Sequence, residues 1–209
     1  MTLPLGPTRI QKKNTGAILD AALEVFSQQG FRGATLDQIA EVAGLSKPNV
    51  LYYFPSKEAI HAALLAGLLH TWLAPLRDLD AAGNPVDEIL GYVRRKLQMS
   101  RDLPRESRLF ANEILQGAPR IQAAIRGELK ELVEQKAAVI AAWARAGNIA
   151  SVDPKHLIFS IWALTQHYAD FDVQVRLVLG PGRNDPFPEA ERFLETLFTR
   201  LLAPANQPR

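Results

Sequence analysis

Lys47, Asn49 and Tyr52 put a cation, a primary amide and a phenol on one short stretch of chain. A lysine ammonium pairs with the acceptor edge of guanine and an asparagine amide with the mixed edge of adenine, both open in the DNA major groove. Lys47 and Asn49 are therefore the candidates for base edges. Thr35, Tyr52, Tyr53 and Lys57 suit phosphates, which set register without choosing sequence. Lys57 also falls at a helix N-terminus, where free amides and the positive dipole end favour an anion.

A second group lies in the segment IWALTQHYADF, residues 161 to 171, where Gln166, His167, Tyr168 and Asp170 cannot all point outward. The Gln166 amide offers a donor beside an acceptor, which matches a planar heterocycle with alternating C=O and N–H edges. Trp72, Phe110 and Trp162 could supply faces to stack such a ring, although aromatics at helical spacing also make plain core. For His167 and Tyr168 a satisfied buried polar group or a dimer contact is the simpler expectation. A rival assignment makes His167 an acid–base partner of Asp170 or Glu113 in a small helical enzyme. Three-residue spacing on one helix is equally that of a surface pair, and no nucleophile or metal motif accompanies it.

The elements that must position the first group are written in capping chemistry. Thr35 and Gln38 form a capping box, so a helix starts near Leu36, with Leu36, Ile39, Ala40 and Ala43 on its apolar side. Gly44 ends it in a left-handed turn. Ser46 then caps a second helix with Pro48 in its first turn and Leu45, Val50 and Leu51 expected to face inward. Pro55 stops that helix and Ser56 caps a third. This is a helix-turn-helix layout, although capped helix pairs also occur in ordinary bundles. Ahead of it, Thr15 to Gln29 has helical spacing broken by Gly30 and Gly33. Behind it, a long helix runs from Ser56 through Trp72 to Pro75 and could act as a lever between the two groups.

The 209 residues contain no cysteine, which removes disulfides, thiolate catalysis and Cys-based zinc sites together, and four scattered histidines point to no metal or cofactor. The net charge of +2 marks no polycation, so placement matters more. Arg9, Lys12 and Lys13 are expected just before the first helix, and Arg32 near the reading unit, within reach of phosphates. The N-terminus MTLPLGPTRIQKK has no apolar run like a signal peptide's, and no stretch of about 18 apolar residues is evident, so a cytoplasmic protein with no membrane contact is expected.

Breaks at 83–85, 104, 117–119, 147–148, 153–154 and 180–188 separate segments that all have a helical period, so the expected fold is all-α. Residues 155 to 178 are apolar on nearly all sides and should be buried all round. Residues 187 to 202 place Phe193, Leu194, Leu197, Phe198, Leu201 and Leu202 in one stripe. Two such helices suit a four-helix contact with a second copy, which would match a two-fold operator, or else the core of a monomer.

Residues 21 to 60, AALEVFSQQGFRGATLDQIAEVAGLSKPNVLYYFPSKEAI, resemble the DNA-binding domain of TetR-family transcriptional regulators through nearly every position. The resemblance implies an N-terminal three-helix DNA-binding domain, placed at 1–55, with Thr35, Ser46, Lys47, Pro48, Asn49, Tyr52, Tyr53 and Lys57 as its contact residues. It also implies a helical effector-binding and dimerisation domain, placed at 56–209, and a homodimer that releases operator DNA when a small molecule binds. The segments SRLFANEILQGAP (107 to 119) and HLIFSIWALTQHYADF (156 to 171) are similar to the pyrimidine-utilisation branch of that family. By that likeness the effector is uracil or thymine, held around Trp72, Phe110, Trp162 and Gln166. An unrelated hydrophobic or aromatic effector is the alternative, because such regulators keep their fold while changing ligands.

Overall fold

The computed structural model describes residues 8–181 and 185–204, and among them there is no strand. Helix α1 (Arg9–Gly33) begins at a capping box between Thr8 and Gln11, six residues ahead of the expected Thr15. Arg9, Lys12 and Lys13 therefore lie on its exposed first turns rather than before it. Gly30, at φ 68, kinks α1 and turns Phe31 back toward the body of the protein.

The next three helices follow their caps. Helix α2 (Leu36–Ala43) starts on the Thr35–Gln38 box and ends at Gly44 in the left-handed region, φ 66. Its last carbonyls are satisfied by the Gly44 and Leu45 amides, which donate to Glu41 and Ala40. Helix α3 (Lys47–Tyr53) is capped by Ser46, and α4 (Lys57–Arg77) by Ser56. Pro75 does not end α4 but sits within its last turn. Of the residues expected to hold α3 inward, Val50 is fully buried and Leu45 packs on the same core, whereas Leu51 is exposed because α1 and α4 cover only one side of so short a helix.

Helices α5 (Pro85–Asp102), α6 (Pro104–Leu115), α8 (Lys130–Arg145), α9 (Pro154–Asp170), α10 (Asp172–Leu179) and α11 (Phe187–Leu202) build the larger body. A short α7 (Gln122–Ala124) and a π-helical turn (Ile125–Leu129) lead into α8. Helix α5 is the central strut, with α9 and α11 packed against it.

Helix α4 belongs to both cores. Ile60, Leu64, Leu65, Leu68 and Trp72 pack with α1, α2 and α3, while Leu69, Leu73 and Leu76 pack with α5, α8, α9 and α11. By length and composition alone α4 could cross a membrane, contrary to the expectation that no such apolar stretch exists, yet half of that span is buried inside the fold. A helix shared by two cores is apolar for that reason.

Two expectations for the C-terminal half need correction. The segment 155 to 178 is two helices broken at Phe171, and α10 has no buried residue; Val173, Leu177 and Val178 are 71 to 79% exposed. The stripe on α11 is split as well. Leu194, Phe198 and Leu202 face α5, while Phe193, Leu197 and Leu201 are exposed. One chain has too few elements to cover both faces. Of the break at 180–188, residues 182–184 lie outside the described residues.

Candidate functional site

The expected contact residues of α3 are presented together. Tyr52 is 72% exposed, and Asn49, Lys47, Pro48 and Ser46 are exposed beside it. Lys47 is held by Asp37 of α2, with Nζ 2.9 Å from Oδ2, a solvated pair that DNA phosphates can compete for. Tyr53 is half-buried and its hydroxyl accepts a hydrogen bond from Asn14 Nδ2 at 2.9 Å, which ties α3 to α1. Thr35 is spent on its cap.

Lys57 has a further role that its position at a helix start does not reveal. Its ammonium donates to the carbonyls of Phe31 and Ala34 at 2.8 and 2.7 Å and lies 4.6 Å from the centre of the Phe31 ring. Only one of its three donors is left for a phosphate.

The second group surrounds a cavity of about 930 Å³ between α6, the π-helical turn, α8 and α9. Phe110, Trp162 and Gln166 line it, as does Asp170. The Trp162 indole is fixed by donating to the Tyr92 hydroxyl at 2.6 Å, and burial of that phenol raises its pKa. Trp72 does not line this cavity. It is buried in the core behind it, and its indole N–H has no hydrogen-bond partner among the described residues.

Over the Trp72 ring, 5.3 Å from its centre, lies the ammonium of Lys96. Lys96 is 2% exposed, and burial depresses its pKa to about 7, opposed by the field of Asp170. Asp170 is itself raised by burial, opposed mainly by the hydrogen bond it accepts from Ser107 at 2.6 Å. Lys96 was missed in the sequence because RRK at 94–96 looks like an ordinary solvated run. The signal was its register: Ile89, Tyr92, Val93, Lys96 and Leu97 recur on the buried side of α5.

The enzyme assignment finds no geometry. His167 is exposed and stacks on Phe171 with ring centres 5.0 Å apart, Asp170 is engaged by Ser107, and the buried Glu113 is held by Arg120 at 2.8 Å.

Residues 18–64 match the family of bacterial regulatory proteins of the tetR type, and residues 65–205 match the YcdC-like C-terminal region. The chain belongs to the TetR family. It is 53% identical over 169 residues to the HTH-type transcriptional regulator RutR of Escherichia coli K12, spanning 81% of this chain and 80% of RutR; the Shigella flexneri RutR matches equally. Among solved structures, a tetR-family regulatory protein from Rhodococcus RHA1 superposes with a TM-score of 0.72 over 92% of this chain and 98% of that one, at 23% identity. AibR in complex with isovaleryl coenzyme A and operator DNA superposes at 0.68 over 91% and 99%, at 18% identity. These two show the fold. TetR-family regulators bind operator DNA and small-molecule effectors and act as dimers, so this chain is a ligand-responsive DNA-binding regulator and not an enzyme.

Proposed function

We propose that this TetR-family protein is a dimeric repressor that releases its operator on binding a pyrimidine base, uracil or thymine, and so controls pyrimidine catabolism in the cytoplasm. The carrying observation is the Gln166 amide on the wall of a cavity that it shares with Phe110, Trp162 and Asp170. A pyrimidine dione carries two carbonyls and two ring N–H groups, and the Gln166 amide can read one C=O/N–H edge while Phe110 or Trp162 covers the ring.

Residues 1–55 serve as the reader, with Lys47 and Asn49 on base edges and Tyr52, Tyr53 and Lys57 on the backbone, while Thr35 holds the cap of α2. Residues 56–209 hold the effector and the second copy, whose contact uses the exposed Phe193, Leu197 and Leu201 of α11. One observation favours the alternative of a larger apolar effector: the cavity exceeds the volume of one pyrimidine ring, and Ile114, Leu115, Leu129, Val133 and Phe159 line much of it.

Thermal shift and gel shift together test the proposal. Uracil or thymine should raise the melting temperature and weaken binding to the DNA upstream of the chain's own gene. No shift with either base, alongside a response to larger aromatic compounds, would select the alternative.

A further inference from the structure

Helix α6 has two sides with different duties. Phe110, Ala111, Asn112 and Ile114 line the effector cavity, while Glu113, between them, is 2% exposed and faces the opposite way. Glu113 accepts from the Arg120 backbone N–H through Oε1 and from the Arg120 guanidinium through Oε2, both at 2.8 Å. So anchored, the Arg120 guanidinium carbon lies 3.7 Å from the centre of the Phe31 ring. Phe31 is the residue just past the Gly30 kink of α1.

Phe31 is gripped from other directions too. Lys57 of α4 approaches its ring and binds its carbonyl, and the His61 ring meets it at 4.8 Å, nearly edge-on. Lys57 also binds the carbonyl of Ala34, the residue before the Thr35 cap of α2. The turn that carries Arg120 is tightly shaped: Gly117 and Ala118 both have positive φ, 87 and 54, and Ala118 packs in the reader's core. A non-glycine residue in that region persists only where its surroundings over-determine it.

We infer that Arg120 is a positioning residue that couples the wall of the effector cavity to the reading helices, through Glu113 on one side and Phe31 on the other. A ligand pressing on Phe110 or Ile114 moves Glu113 with its helix turn, and Arg120 carries that displacement to Phe31, Lys57 and the start of α2. This route is separate from the tilt of α4. It rests on the effector-release function proposed above, and coupling between two sites must act equally in both directions.

That reciprocity allows a test that does not depend on which effector is right. The full-length protein is labelled with 5-fluorotryptophan and mixed with the operator duplex it protects; the Trp162 fluorine line, assigned with Trp162→Phe, should move on DNA binding because Trp162 walls the cavity. In Phe31→Leu, and independently in Arg120→Met, operator affinity should stay within about threefold while the Trp162 displacement falls by at least about half. The double variant should lose no more than the larger single loss, since the two residues act as one contact. In a parallel arm, the uracil concentration that halves operator binding should rise about tenfold in both variants. A Trp162 line that DNA does not move, or moves equally in the variants, overturns the inference. A protein whose Trp162 line responds to DNA but which ignores uracil refutes only the pyrimidine effector.

Discussion

The Lys96 ammonium lies 5.3 Å above the centre of the Trp72 ring, and the Trp72 indole N–H finds no hydrogen-bond acceptor among the described residues. The ring face compensates the buried cation only in part.

Replacing Lys96, which is 2% exposed, by Met should stabilise the fold. Burial lowers the folded pKa to about 7 from 10.5, so the unfolded chain holds this proton where the folded one tends to lose it. The penalty is full below pH 7 and fades as pH rises toward 10.5. Urea unfolding should show Lys96→Met more stable by on the order of 3 kcal/mol at pH 6, with the gap closing by pH 10. A gap that widens with pH would mean the ammonium is not desolvated.

His61 predicts a limb of the same sign at lower pH. It is buried between Phe26 and Phe31, with ring centres 4.8 Å from each, and its pKa falls to about 4. Burial is the main cause, Arg120 and Lys57 add to it, and Glu113 opposes it. A depressed histidine contributes stability above pH 6.5 that is lost as pH falls toward 4. Between pH 7 and 5 the loss should be on the order of 2 kcal/mol, and His61→Leu should lack that share of the pH dependence.

Lys57→Met should destabilise as well as weaken DNA binding. Two carbonyls, of Phe31 and Ala34, lose their donor, which costs about 1 to 3 kcal/mol in unfolding free energy. Operator and random DNA should weaken alike, because phosphate contacts carry no sequence choice. A change of base preference at one operator position would assign Lys57 to a base edge instead.

Asp37→Asn releases Lys47 from its 2.9 Å pair and removes a negative charge from the reading surface. Operator affinity should rise about threefold at low salt, an advantage that shrinks as salt is added. Fluorescence anisotropy across a salt series checks both statements.

The reader's helices were legible because their determinants are local. Thr35 with Gln38, Gly44, Ser46 with Pro48, and Ser56 each act within a few residues, and α2, α3 and α4 begin or end on them. The start of α1 lies ahead of the expected Thr15 although Thr8 and Gln11 form the same box, because the polar run at 9–14 carries no apolar period. In the larger body, Phe110, Trp162 and Gln166 line one cavity, as their grouping in the sequence implies, since aromatic and amide side chains on core helices have few alternatives. Trp72 was set on the cavity wall because it ends the lever helix, but packing against Lys96 turns it into the core.

Family, helix content and the order of capped elements followed from the sequence alone, since caps, breaks and apolar period act over one or two turns. Which charges are buried, which apolar faces stay open and which residues meet across the junction were decided by tertiary packing. Lys96 is desolvated only because α9 covers α5, and Arg120 reaches Phe31 only because the α6 turn folds back onto the kink in α1. Those pairings join residues far apart in the chain, where spacing carries no information about which side chains will touch.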